Sequence, residues 1–374
     1  MSAGRPSQAS ARRRDRRVYT RSHPFLFALL AATRGRPVRR LGRTLLVHDA
    51  AAYREALTRL PLDRTAAGTT GGAARAAGAG SVLFDQEGGA HRAGRRGLAA
   101  GLGAAGVEEL RAVWRPLLVR RLAPLARGGE VDLVELAREL SGSVVCALLG
   151  SQADPRTVAE AAAAAAAASV RSHLPGPPRP GAKSAAVRTA EHLSMLLGAA
   201  PAPGPDPRPG DAALRAMLAV AAVNTTVAAL PRAVAWCADA GLWGDAADAR
   251  LRPVLADELL RVTAASPVLP RVAAAGGTVG GCPVRGGDRL LLVARHAAEA
   301  DRRDPDAHRP AGPGTDRLVF GAGPHACPGA RLARAQLADV LEELAPYRPV
   351  VTRARVDRRA ALPGWRSLTV RAGA

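Results

Sequence analysis

Ten residues near the C-terminal end, Phe320-Gly321-Ala322-Gly323-Pro324-His325-Ala326-Cys327-Pro328-Gly329, constrain this chain more than any other stretch. Three glycines and two prolines impose a rigid loop in which the backbone can approach a flat ligand closely. Cys327 is left at the mouth of an expected helix running to Leu344, with Ala333, Leu337, Val340, Leu341 and Leu344 on one face. The positive helix terminus and its free backbone N–H groups are expected to favour the thiolate, and hydrogen bonds to sulfur then tune its donation to a bound metal. An isolated Cys-Pro-Gly would read as an inert cysteine beside a turn. The spacing of the whole decapeptide argues instead for a ligand-bearing loop.

Around this loop the pattern is mostly helical. Apolar residues recur at helical spacing over 107–125 and 131–149, the run Ala161 to Ala168 has strong helix propensity, and helical pattern resumes over 212–236 and 251–263. Strand-like runs are few: Thr44 to Val47, and the glycine- and valine-rich segment Val272 to Val293. Thr65 to Gly80 reads as a mobile loop, and Pro175 to Pro180 and Pro201 to Pro209 read as solvent loops. The expected architecture is therefore mainly α with a small β region, with residues 23–374 as one domain behind a disordered basic tail at 1–22.

Of 374 residues 48% are hydrophobic, enough for a sizeable core. The net charge is +21, yet a single lysine (Lys183) among 53 basic residues points to coding bias more than selection for charge. Aromatic residues make up 3%, too few for the stacking platforms of a single-stranded nucleic-acid binder, so no nucleic-acid partner is expected. Cys146, Cys237, Cys282 and Cys327 are far apart with no CxxC pair, which suits reduced thiols in the cytoplasm. No apolar run suggests a membrane span. Arginines 12–14, 16 and 17 ahead of Phe25 to Ala32 have the outline of an export signal, but Arg34, Arg36, Arg39 and Arg40 follow at once, which argues for a tail instead.

Two further spacings carry chemistry. Glu258 and Arg261 stand three apart on an expected helix, a pattern that is by itself a surface pair worth a few tenths of a kcal/mol. His91 and Arg95 stand four apart and share a helix face. Taken in order with the cysteine loop and the Pro267-Val268-Leu269-Pro270-Arg271 segment, these motifs resemble the cytochrome P450 superfamily, from about His23 to the C-terminus.

The resemblance implies a P450 fold with haem b buried between the I and L helices. It implies Cys327 as the axial thiolate ligand of the iron, within a loop defined also by Phe320, Gly321 and Gly329. His91, Arg95, Arg271 and His325 would meet the two propionates, which need cationic or hydrogen-bonding partners. Glu258 and Arg261 would form the buried pair behind the haem, with Arg309 as a candidate third member. Ala221, Val268 and Leu269 would line a mostly apolar substrate pocket. On the I helix Thr225 is kept, but Asn224 replaces the usual acid; an amide orients water and delivers no proton at neutral pH. Pro231 should break that helix soon after.

The activity implied is monooxygenation of a small hydrophobic, biosynthetic or carrier-bound substrate. No dinucleotide fingerprint is present, so electrons would come from a ferredoxin and its reductase, attracted by Arg331 and Arg334. The enzyme would be a cytoplasmic monomer in secondary metabolism. Asn224 leaves altered haem chemistry open (oxidative coupling, peroxide use or dehydration), and a haem-containing auxiliary protein is the reading from another class.

Overall fold

The computed structural model describes residues 7–76, 83–173, 180–198, 211–312 and 314–373. Two N-terminal helices, α1 (Gln8–Ser22) and α2 (Pro24–Thr33), separated by His23, precede β1 (Val38–Leu41), β2 (Thr44–Val47) and α3 (Ala50–Thr58). Next come α4 (Thr70–Ala76), α5 (Gly88–Leu102), α6 (Ala104–Leu122), β3 (Glu130–Asp132), α7 (Leu133–Leu149), α8 (Pro155–His173) and α9 (Ala182–Leu197). The long α10 (Asp211–Ala240) leads to α11 (Trp243–Ala247) and α12 (Arg252–Thr263). Strands β4 (Leu269–Val272), β5 (Gly277–Val279), β6 (Cys282–Val284) and β7 (Arg289–Leu292) follow, then α13 (Ala294–Ala297), α14 (Ala330–Leu344), β8 (Val350–Asp357) and β9 (Gly364–Arg371).

One sheet has the order β1-β2-β7-β4, with β2 and β7 parallel although some 240 residues lie between them. A second has the order β3-β9-β8, and β5 pairs with β6. The local signals are ordinary. Asp49 caps α3 by accepting from the N–H groups of Ala51 and Ala52, and Asp132 caps α7 by accepting from that of Val134. The buried face of α7 carries Leu133, Leu136, Leu140, Val144 and Val145, as its periodicity requires. Gly142 lets α8 cross closely, since a β-carbon there would lie 2.0 Å from the Pro155 carbonyl oxygen.

Four expectations are corrected. Residues 8–22 are not a disordered tail: they form α1, held by Asp15, which receives Arg232 of α10 at 2.7 Å and Arg295 of α13 at 3.1 Å with all three side chains buried. Tyr19 lies under both guanidiniums and donates its hydroxyl to the Thr263 carbonyl. Secondly, α10 runs through Pro231 to Ala240, because the residues on both sides of the proline are buried against α1, α7, α12 and the β8–β9 hairpin, and this packing outweighs the lost backbone bond. Thirdly, α10 is long and apolar enough to cross a membrane by length and composition, with mean hydropathy 1.6, but it is the central helix of the core. Finally, the stretch expected as a mobile loop contains α4, while its residues 77–80 lie outside those described, as do the proline-rich segments at 175–178 and 201–209.

Candidate active site

The loop before α14 folds as its glycines demand. Gly321 takes φ of 79°, and the turn closes where the Cys327 N–H donates to the Phe320 carbonyl at 2.7 Å. Phe320 packs on the main core and is faced by the Arg334 guanidinium at 5.4 Å. Cys327 is exposed, on the loop that leads into α14. The helix begins at Ala330, three residues past the sulfur. Contrary to the expected lowering, desolvation by the surrounding protein pushes the Cys327 thiol up, against the opposing pull of the Gly329 N–H bonded to sulfur and of Arg95. A metal cation at the sulfur is the partner that reverses this balance.

His91 and Arg95 both lie on α5, as expected. His91 is buried and stacks on His325 with ring centroids 3.7 Å apart, while Arg95 donates to the carbonyl of Ala326, next to Cys327. Arg271, on β4, joins the same group. Its titration is pushed down to about 10 by burial and then by Arg64, and its Nε is buried without a partner. Around His325 the acting charges are Arg64, His91, Arg271 and Arg95, all of one sign; with burial they push its imidazole down to about 3. Glu87, largely exposed, pairs with Arg64 at 3.3 Å. Three guanidiniums against one carboxylate leave two positive charges, a match for a ligand carrying two carboxylates.

The sequence reading missed two members of this set. Arg64 sits in the segment after α3, where nothing local marks it. Tyr53 is fully buried on α3 with its hydroxyl unpartnered; burial raises its titration and Arg271 opposes that rise. Its spacing with Ala52, Ala56 and Leu57 reads simply as a core face.

Glu258 and Arg261 form a buried two-point ion pair at 2.6 and 2.9 Å. Arg309 does not join them: it is exposed beside Asp306. Backbone groups fill that place, with Arg261 donating to the carbonyls of Ala298, Arg303 and Asp304, and Glu258 accepting from the N–H of Ala311. Arg334, expected to attract an electron donor, is paired with Asp257 at 2.6 Å, whereas Arg331 is exposed.

On α10 the Thr225 hydroxyl donates to the Ala221 carbonyl at 2.7 Å. The Asn224 amide points elsewhere, donating to Val220 at 2.8 Å and to Ala162 of α8 at 3.3 Å. It borders a hollow of about 180 Å³ shared with Arg138, Asp357 and Trp365. Val268 packs with Leu30, Leu46 and Val293, and Leu269 packs on the cluster around Leu57 and Leu292, so both serve the sheet.

An accessible thiol on a glycine-rich loop and a cationic rim lacking two negative charges fit an iron porphyrin with two propionates. The overall architecture agrees with this class. EryK from S. erythraea superposes with TM-score 0.73 at 22% identity over 94% of this chain and 96% of that one, and an EryK mutant in complex with erythromycin B gives 0.76 over 95% and 98%. P450BioI in complex with a fatty-acyl carrier protein gives 0.74 at 18% identity. The chain has the cytochrome P450 fold. In sequence, 108 residues are 40% identical to the 20-oxo-5-O-mycaminosyltylactone 23-monooxygenase of Streptomyces fradiae, and 102 are 35% identical to the putative cytochrome P450 126 of Mycobacterium tuberculosis. These matches span about a quarter of this chain and of each relative (25% and 24% of their lengths). No protein-family model matches the chain.

Proposed function

We propose that the chain is a haem-thiolate monooxygenase that inserts one oxygen atom of dioxygen into a hydrophobic biosynthetic intermediate, using electrons from a separate ferredoxin and reductase. The observation that carries this reading is Cys327 in its glycine loop beside a half-buried cationic cluster that lacks two negative charges. Cys327 would hold the iron of haem b, and Arg64, Arg95, Arg271, His91 and His325 would meet its propionates. Bound haem supplies electron transfer to dioxygen, and thiolate donation favours cleavage of the O–O bond.

The chain's own residues set the rest. Thr225 offers a hydroxyl that can reorient from the Ala221 carbonyl toward a proton acceptor at the site. Asn224, fixed by two carbonyls, orients water in the adjoining hollow and supplies no proton itself, so protons come from solvent through that water. Ala221, on α10 beside Thr225, offers apolar surface to the substrate, while Val268 and Leu269 are spent on packing the sheet. Relatives named for macrolide chemistry and for a carrier-bound fatty acid support a bulky or carrier-bound substrate. The locked Asn224 also favours a second reading, haem-thiolate chemistry other than oxygen insertion.

The test is the absorption spectrum of the reduced protein under carbon monoxide. A strongly red-shifted Soret band, lost in Cys327→Ser, supports thiolate ligation. Haem with an unshifted band in the parent protein overturns it, and a folded protein that takes up no haem overturns both this reading and the haem-containing auxiliary one. Restoring the acid with Asn224→Asp should tighten coupling of electron use to product; a change of product identity favours the second reading.

A further inference from the structure

We infer that the α1–α2 face is a peripheral docking surface for an anionic phospholipid bilayer. The inference does not depend on the catalytic reading. Residues 1–48 contain twelve arginines and a single acid, Asp15, so this segment holds +11 of the chain's +21. Coding bias explains scattered arginine but not this concentration. Asp15 is buried and already engaged by Arg232 and Arg295, so it offers nothing to the surface charges. Arg13, Arg16, Arg17, Arg21, Arg36 and Arg39 are exposed and make no ion pair among the described residues.

Between these arginines lies an apolar helix face. Phe25 is 89% exposed and Leu29 41%, and Ala28 and Ala32 complete an i, i+3, i+4, i+7 row on α2 that is open to solvent. The opposite face, with Leu26, Phe27 and Leu30, packs against Leu46 and Val293. Leu41, at the end of β1, is 39% exposed. Three of the six large hydrophobic side chains exposed among the described residues thus fall within residues 25–41.

The exposed row of α2 carries no side-chain donor or acceptor, so it has nothing with which to specify a protein partner's polar groups. Guanidiniums bind phosphate oxygens in two-point fashion, and Phe and Leu gain by leaving water. A short apolar helix between arginine clusters fits the headgroup boundary of an anionic leaflet, with the apolar row inserted and the charges at phosphate level. Such docking needs no span, and the long apolar α10 remains in the core.

Flotation of the full-length protein with vesicles tests this. Phosphatidylcholine vesicles containing about one-third phosphatidylglycerol should carry the protein up the gradient, in a salt-sensitive way, while pure phosphatidylcholine should not. Phe25→Glu/Leu29→Glu and Arg16→Glu/Arg17→Glu should each weaken binding by about tenfold or more. Arg353→Glu/Arg355→Glu removes the same charge from the exposed edge of β8 and should leave binding unchanged. Circular dichroism establishes that each variant is folded. The inference is overturned if the parent protein ignores phosphatidylglycerol at low salt, or if the β8 variant loses as much as the α1 variant, which is general basicity. It is equally overturned if the Phe25/Leu29 variant binds normally, or if that variant loses an acidic ferredoxin while no variant or parent binds vesicles, which assigns the face to a protein.

Discussion

Two arginine clusters in this molecule differ in what completes them. At α1 the charges of Arg232 and Arg295 close on the carboxylate of Asp15, with Tyr19 beneath. Beside Cys327, Arg64, Arg95 and Arg271 face only the exposed Glu87, and a buried phenol and a guanidinium Nε have no partner. A buried cation whose counter-ion belongs to the chain is architecture, because removing either partner strands a charge in low dielectric. Half-buried cations without one mark a place built for a ligand that brings the missing charge.

The sharpest way to break this contrast is Asp15→Ala. It strands two buried guanidiniums and should cost about 3–5 kcal/mol of stability by urea denaturation; a loss under 1 kcal/mol would remove the distinction. Arg271→Leu should do the reverse. In protein expressed without haem it should leave stability unchanged or raise it, while haem release to apomyoglobin accelerates by about tenfold or more, the scale of a charge-assisted hydrogen bond. If Arg271→Leu destabilises the haem-free protein as Asp15→Ala does, Arg271 is structural.

Tyr53→Phe is smaller still. The unpartnered hydroxyl should contribute nothing without haem and about 1 kcal/mol to haem retention, read as a roughly fivefold faster release. Equal release rates would show that this hydroxyl does not reach a carboxylate. The pH response is the smallest effect. His325 has its folded value pushed down to about 3, and His91 is also lowered, below the ordinary imidazole range near 6.5. Below about 6.5 the unfolded chain takes up protons that the fold refuses. Stability of the haem-free protein is therefore full above about pH 6.5 and falls as pH drops toward about 3, and His325→Gln should flatten that decline in urea midpoints measured at steps of pH.

The site was legible in unequal parts. Cys327, its glycines, the His91–Arg95 pair and Glu258–Arg261 are short-range spacings, and the structure puts each of them on the expected loop or helix. Arg309 was misplaced because many arginines crowd the same segment, and backbone carbonyls turned out to do that work. Tyr53 and Arg64 were invisible because each reads locally as something ordinary, a core aromatic and a loop cation. The helix α1 was read as tail because five arginines in six residues look like a solvated run; the one acid among them anchors it, through partners more than 200 residues away.

The sequence by itself determined most helices beyond α1 and α4, the cysteine loop and the order of the motifs, since these depend on glycine and proline geometry and on periodicities of three or four residues. Only the tertiary structure decided which arginines are neutralised and which are left for a ligand, and that the chain carries its apolar α2 face outward between its arginines. Charge compensation and exposure are properties of neighbours in space, and the long separations between those neighbours leave no mark in local sequence.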